Sequence, residues 1–82
     1  MSKLLIAVDI AKDVFEVAVA QKSGKILERR RMTRSQFERF WIQRKTCPVV
    51  MEACGSAHHW AREIGRLGHT VRLIPPAYVK MP

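Results

Sequence analysis

Cysteine is scarce in this chain, with only Cys47 and Cys54 among 82 residues. Two thiols cannot build the disulfide framework of a small secreted domain, and they fit a reducing compartment. Acidic residues are also few: seven stand against fifteen lysines and arginines, for a net charge of +8 and a pI near 10.4. That balance favours a polyanionic partner, nucleic acid first and an anionic membrane surface second, with a basic domain lacking any such partner as the simpler reading. No apolar run approaches the roughly 18 residues needed to span a bilayer. The opening Met1-Ser2-Lys3-Leu4-Leu5-Ile6-Ala7-Val8-Asp9 puts an acid inside what would be a signal peptide's apolar stretch, with no small-residue cleavage site after it. A cytoplasmic protein with no membrane partner is therefore expected. Four glycines and four prolines leave no low-complexity linker and no internal repeat, so residues 1–82 read as one unit with no second domain.

What is present is globular. Hydrophobic residues make up 48% and charged residues 27%, which excludes a disordered tail. A chain this short buries only about 60% of its unfolded surface, so its stability by itself is marginal. Leu4–Ile10 is an apolar run of strand length, as expected of a central strand covered on both faces. After the polar Ala11-Lys12-Asp13, the run Val14–Ala20 resumes a β-rich pattern and pairs back as a hairpin. Gly24 supplies the next turn. Lys25–Met32, with charges on both faces, suits an edge strand. The period then changes. Thr33 with Gln36, or Ser35 with Glu38, makes a capping-box start. Phe37, Phe40 and Trp41 form a stripe on a helix expected to end near Lys45. Pro48–Ala53 is a further strand. Ser56 caps a second helix with Ala57, Trp60, Ala61, Ile64 and Leu67 inside, ended by Gly68. Thr70–Ile74 is the last strand. The order β-β-β-α-β-α-β implies an α/β fold with a mixed sheet: a three-strand meander, then strands returning parallel through helical crossovers.

Two acids interrupt apolar strands, Asp9 and Glu52. Carboxylates in such places are usually paired or bound to metal. If the first and fourth strands are neighbours, both acids reach one rim, where open α/β sheets bind ligands. Two carboxylates there suit Mg²⁺, a hard ion that prefers oxygen, and paired Mg²⁺ ions serve phosphodiester chemistry. The same residues are also read as a turn-capping aspartate and a solvated strand-end glutamate.

Three blocks occur in order along the chain: Ile6-Ala7-Val8-Asp9-Ile10-Ala11-Lys12-Asp13-Val14-Phe15, then Val49-Val50-Met51-Glu52-Ala53-Cys54-Gly55, then Leu67-Gly68-His69-Thr70-Val71 with Ile74-Pro75-Pro76-Ala77-Tyr78-Val79-Lys80. Together they resemble the start of insertion-sequence transposases of the DEDD type, which carry a RuvC-like, ribonuclease-H-like domain (the IS-one-ten family). The resemblance implies an incomplete ribonuclease-H-like sheet and the amino-terminal portion of a Mg²⁺-dependent DNA recombinase acting in DNA transposition. It implies DNA and a structured guide RNA as partners. Asp9 matches the family's first catalytic, metal-binding acid and Glu52 its second. The family's two later aspartates and its carboxyl-terminal domain with a serine nucleophile have no counterpart here, so this chain alone is expected to be inactive. Cys54-Gly55-Ser56-Ala57-His58 also departs from the Thr-Gly-Gly-Tyr-type residues more usual there.

Arg29, Arg30, Arg31, Arg34, Arg39, Arg44 and Lys45 form the densest basic stretch. They are candidates for contacts to DNA or RNA phosphates, weakening steeply with salt, or else a charged edge strand beside a solvated helix face. The aromatic residues are spaced for core packing rather than base stacking. Cys47, Cys54, His58, His59 and His69 fit no zinc-finger spacing, and a Cys54–His58 nucleophile pair lacks a third residue to orient the histidine. Gly55-Ser56 reads as a phosphate-facing turn or a plain helix cap. Competing readings are a non-catalytic nucleic-acid-binding module and, further behind, an actin-like ATPase fragment, whose hairpin glycine is missing from Asp9-Ile10-Ala11-Lys12-Asp13. An incomplete sheet with exposed apolar surface favours a homo-oligomer.

Overall fold

A computed structural model describes residues 4–75; the Pro76–Lys80 part of the third block lies outside the described residues. Strands β1 (Leu4–Ala11) and β2 (Val14–Gln21) pair along their whole length, from Leu4 opposite Gln21 to Ala11 opposite Val14. The two-residue connection Lys12-Asp13 locks that register, because a one-residue slip would turn every apolar side chain to the wrong face. Gly24, at φ +97°, makes the turn into β3 (Ile26–Met32). β3 lies at the sheet edge with every residue exposed except Met32. Its charged side chains discourage pairing with another chain there.

Helix α1 (Arg34–Ile42) begins with the Thr33/Gln36 capping box rather than the Ser35/Glu38 alternative. The Gln36 N–H donates to Thr33 Oγ1 at 3.3 Å, and the Thr33 N–H donates to Gln36 Oε1 at 2.9 Å. The helix stops at Ile42, three residues before the expected Lys45. The reason lies across the fold. The Trp41 carbonyl, which Lys45 N–H would need for a further turn, is held by the buried ring of His69 at 3.2 Å. Strand β4 (Pro48–Glu52) leads to α2 (Ala57–Arg66) and then to β5 (Thr70–Ile74). Ser56 occupies the cap position of α2, yet its side chain makes no capping bond. Leu67, expected inside, is exposed, since it sits at the C-cap where the chain leaves the helix. Gly68 turns at φ +99° into β5.

The five strands lie in the order β3-β2-β1-β4-β5, with β1, β4 and β5 parallel. The crossovers β3-α1-β4 and β4-α2-β5 both step toward β5, and right-handed crossovers taken in one direction put their helices on one face. Phe15 of β2 shows this directly. It stacks on Phe37 of α1 at 4.4 Å and meets Trp60 of α2 edge-on at 5.4 Å. Phe37 and Trp60 also touch, at 5.1 Å. The core under the helices is built from Ile6, Val8, Val17, Val49 and Met51 of the sheet with Phe37, Trp41 and Ile64 above. Truncating a buried aromatic of this kind typically costs about 3–5 kcal/mol.

One expectation is corrected here. β1 is central in the sheet, but only one of its faces is covered: Ile6 and Val8 are buried, whereas Ala7 and Asp9 between and after them are exposed. Among the described residues no helix is long and apolar enough to cross a membrane.

Candidate metal and nucleic-acid surfaces

Asp9 and Glu52 share the uncovered face. On β1 the buried residues are Ile6 and Val8, and on β4 they are Val49 and Met51, so alternation turns Asp9 and Glu52 the other way. The parallel β1–β4 register runs from Ile6 opposite Val49 to Val8 opposite Met51. Each acid therefore comes one residue after the end of the β1–β4 ladder, on neighbouring strands about 4.8 Å apart. Asp9 is exposed and Glu52 half-buried.

The same face carries a third carboxylate and several cations. Glu16 lies opposite Asp9 on β2, and Arg31 of β3 lies opposite Glu16. The Arg31 guanidinium reaches Glu16 at 3.7 Å, an exposed pair of small energetic weight. Arg29, opposite Ala18, joins Asp9, Glu16 and Arg31 around a shallow groove of about 360 Å³. On the other flank Arg72 of β5 lies opposite Val50. The result is a line of carboxylates in mid-sheet with guanidiniums on both sides. Sequence reasoning missed Arg72, although its place between Val71 and Leu73 marks the face opposite those apolar residues.

The seven basic residues of the Arg29–Lys45 stretch do not form one continuous surface. Strand alternation sends Arg29 and Arg31 to the acidic face and Arg30 to the helix side. There Arg30 pairs with Glu28 at 3.5 Å and lies over the Phe40 ring at 5.6 Å. Arg34 sits at the start of α1 with its guanidinium 5.6 Å above the Trp60 ring. Arg39 projects from the exposed side of α1, and Lys45 is exposed in the loop before β4. Arg44 lies 4.1 Å over Phe40.

The histidines and cysteines do not form a metal centre. Among the described residues no group of three or more His, Cys, Asp or Glu side chains could hold a metal ion. His69 instead closes the fold. Its Nδ1 accepts the Cys47 N–H at 3.2 Å while Nε2 faces the Trp41 carbonyl at 3.2 Å. Those two partners assign the neutral tautomer with the proton on Nε2. The Cys47 thiol lies 3.9 Å from Nδ1. Burial raises the thiol's pKa, and the nearby Arg44 charge offsets this only in part. Cys54 is half-buried and His58 is exposed.

No family model matches the chain. Its homologues among curated proteins are transposases, some of them named for insertion sequence elements. A "Probable family 20 transposase" of Pseudomonas aeruginosa is 51% identical over 75 residues, covering 92% of this chain and 22% of that protein. The transposase of insertion sequence element IS1328 of Yersinia enterocolitica is 41% identical over 76 residues, covering 93% of this chain and 23% of its own length. The transposase of element IS1111A of Coxiella burnetii is 42% identical over 76 residues, covering 93% and 21%. The chain thus spans between a fifth and a quarter of the length of these relatives, and over nine-tenths of its own length it is similar to insertion-sequence transposases.

Proposed function

We propose that this chain is the amino-terminal part of an insertion-sequence transposase of the DEDD type, folding as the first portion of a ribonuclease-H-like domain. The observation that supports the reading is that Asp9 and Glu52 each follow the last β1–β4 pair, on the uncovered face of neighbouring parallel strands, in a chain whose homologues are transposases. The donor set fits Mg²⁺ in part. Two carboxylates offer hard oxygen ligands, and Mg²⁺ commonly sits on one or two carboxylates while the rest of its shell is water and substrate phosphate. Asp9 and Glu52 would hold the ion, which when bound supplies charge stabilisation for phosphodiester chemistry. Glu16 faces Arg31 at 3.7 Å rather than the two acids.

DNA is the partner in this reading, with a structured guide RNA as the second. Arg29, Arg31 and Arg72 flank the acids with positive charge that would draw a phosphate backbone toward them. Two carboxylates leave the site incomplete, so the 82-residue chain does not nick DNA with Mg²⁺. Robust nicking by the pure chain, abolished in Asp9→Ala, would overturn the half-site. The metal assignment is tested by titrating Mn²⁺, which shares the oxygen preference of Mg²⁺, while following backbone amide resonances. Paramagnetic broadening should centre on Asp9 and Glu52 and vanish in Asp9→Asn. Broadening centred elsewhere, or unchanged in that variant, rejects it.

A further inference from the structure

On the side of the sheet away from the acids, a cleft of about 580 Å³ runs between β3 and α1, lined by Arg30, Gln36, Arg39, Phe40, Gln43 and Arg44. Its lining holds three guanidiniums and two amides and no carboxylate. Gln36, Arg39, Phe40 and Gln43 follow helical spacing, so one face of α1 through its C-cap forms a wall, and Arg30 of β3 faces it. Phe40 organises the charges. Arg44 lies 4.1 Å above its ring and Arg30 5.6 Å from it, while Trp41 supports the ring edge-on at 4.9 Å. With guanidiniums over Phe40, the ring is not free to stack a base. It serves as a support that holds the planar forks of Arg30 and Arg44 in place while their N–H edges remain available. Among the described residues Arg39 and Arg44 make no ion pair, and Arg30 has only the half-exposed Glu28 at 3.5 Å. Gln36 has its oxygen engaged by the Thr33 N–H, which leaves its amide N–H groups as its donors.

We propose that this cleft is a second nucleic-acid site, which grips the phosphodiester backbone of a strand independently of sequence. The site is separate from the acidic face, since alternation along Arg29-Arg30-Arg31 gives the outer two arginines to the acids and the middle one to the cleft. Donors that only donate, and forks shaped for phosphate, select an anion with repeated charge. Their spread along β3 and α1 suits a strand over a single phosphate. The inference rests on reading the chain as part of a nucleic-acid enzyme, and it adds a track that carries a strand past the site without presenting it to Asp9 and Glu52.

The test is fluorescence anisotropy of the full chain with a labelled homopolymeric DNA strand and an RNA strand of equal length, repeated between about 50 and 200 mM salt. The two strands distinguish the sources of phosphate. On whichever binds tighter, Arg39→Gln/Arg44→Gln should bind at least about tenfold more weakly at low salt. Its log–log salt slope should fall by about 1.4, at roughly 0.7 per lost contact. Both positions lie outside the core, and circular dichroism should show an unchanged fold. Arg29→Gln/Arg31→Gln, on the acidic face, should lose less. If the Arg39/Arg44 variant binds like the parent while the Arg29/Arg31 variant fails, the cleft is rejected and the nucleic-acid reading stands. If the parent chain binds neither strand at low salt, both are rejected.

Discussion

Replacing His69 with alanine is expected to remove a large share of this domain's stability. The imidazole ties together three parts of the chain: it stands just before β5, Cys47 just before β4 donates to it, and Trp41 in the last turn of α1 accepts from it, each at 3.2 Å. His69 is 4% exposed, so both backbone groups lose a partner in a place water reaches poorly. A buried donor or acceptor left unmade costs about 1–3 kcal/mol, so the pair comes to about 2–4 kcal/mol with some relaxation. At about 0.05–0.15 kcal/mol per residue, a chain of 82 residues holds roughly 4–12 kcal/mol in all. Urea denaturation read by Trp41 and Trp60 fluorescence would show the loss, since both indoles are buried. With a slope near 1 kcal/mol per molar urea for so small a domain, the midpoint should fall by about 2 M or more. His69→Gln keeps an acceptor and a donor on one planar amide and should recover about half of the loss. An alanine variant within about 0.5 kcal/mol of the parent, or a glutamine variant no better than alanine, would refute the clamp.

Three further outcomes follow from the glycine turns and the thiols. Gly68→Ala should destabilise the chain more than Gly24→Ala in the same denaturation assay. Both sites have positive φ, but a Cβ at Gly68 would meet Thr46 Cγ2 at 2.9 Å while one at Gly24 meets nothing within 4 Å. Cys47 should react with a thiol reagent far more slowly than the half-buried Cys54, as seen by mass spectrometry of the modified peptides. Because burial raises the Cys47 pKa in the fold, the folded chain holds that proton more tightly than the unfolded one. Stability is then full below the ordinary thiol range and falls as pH rises through it. Cys47→Ala should flatten that decline in pH-dependent melts.

Much of the architecture was legible because its signals are local. The capping box, the polar break after β1 and the glycine after α2 each act within a few residues: the structure takes the Thr33/Gln36 option of the two boxes, narrows the break to Lys12-Asp13, and turns at Gly68 as expected. The two acids were legible as interruptions of apolar runs, and the β1–β4 pairing makes their strands neighbours. What escaped depends on partners distant in the chain. The early end of α1 is set by His69, whose contacts lie 22 and 28 residues away. A histidine next to a helix-ending glycine carries no local mark of that role. The run of arginines looked like one patch because sequence proximity hides the alternation that splits it. The open face of β1 was misjudged because a nearly continuous apolar run looks the same whether the small residue Ala7 is covered or bare.

That bare face also has a relief of its own. Beside Asp9 the floor is made of Ala7 with Ala18 directly across on β2, bordered by the larger Leu5 and Val50. A methyl rises one bond above the strand, whereas the carboxylates and guanidiniums around it extend several. The charged groups therefore stand up from low ground, and a broad, stiff object can settle onto the sheet until it meets them. Leucine in place of Ala7 or Ala18 would raise that floor between the acids and the arginines. The face packed beneath the helices would be left as it is, so the shape of the approach can be altered apart from the fold that supports it.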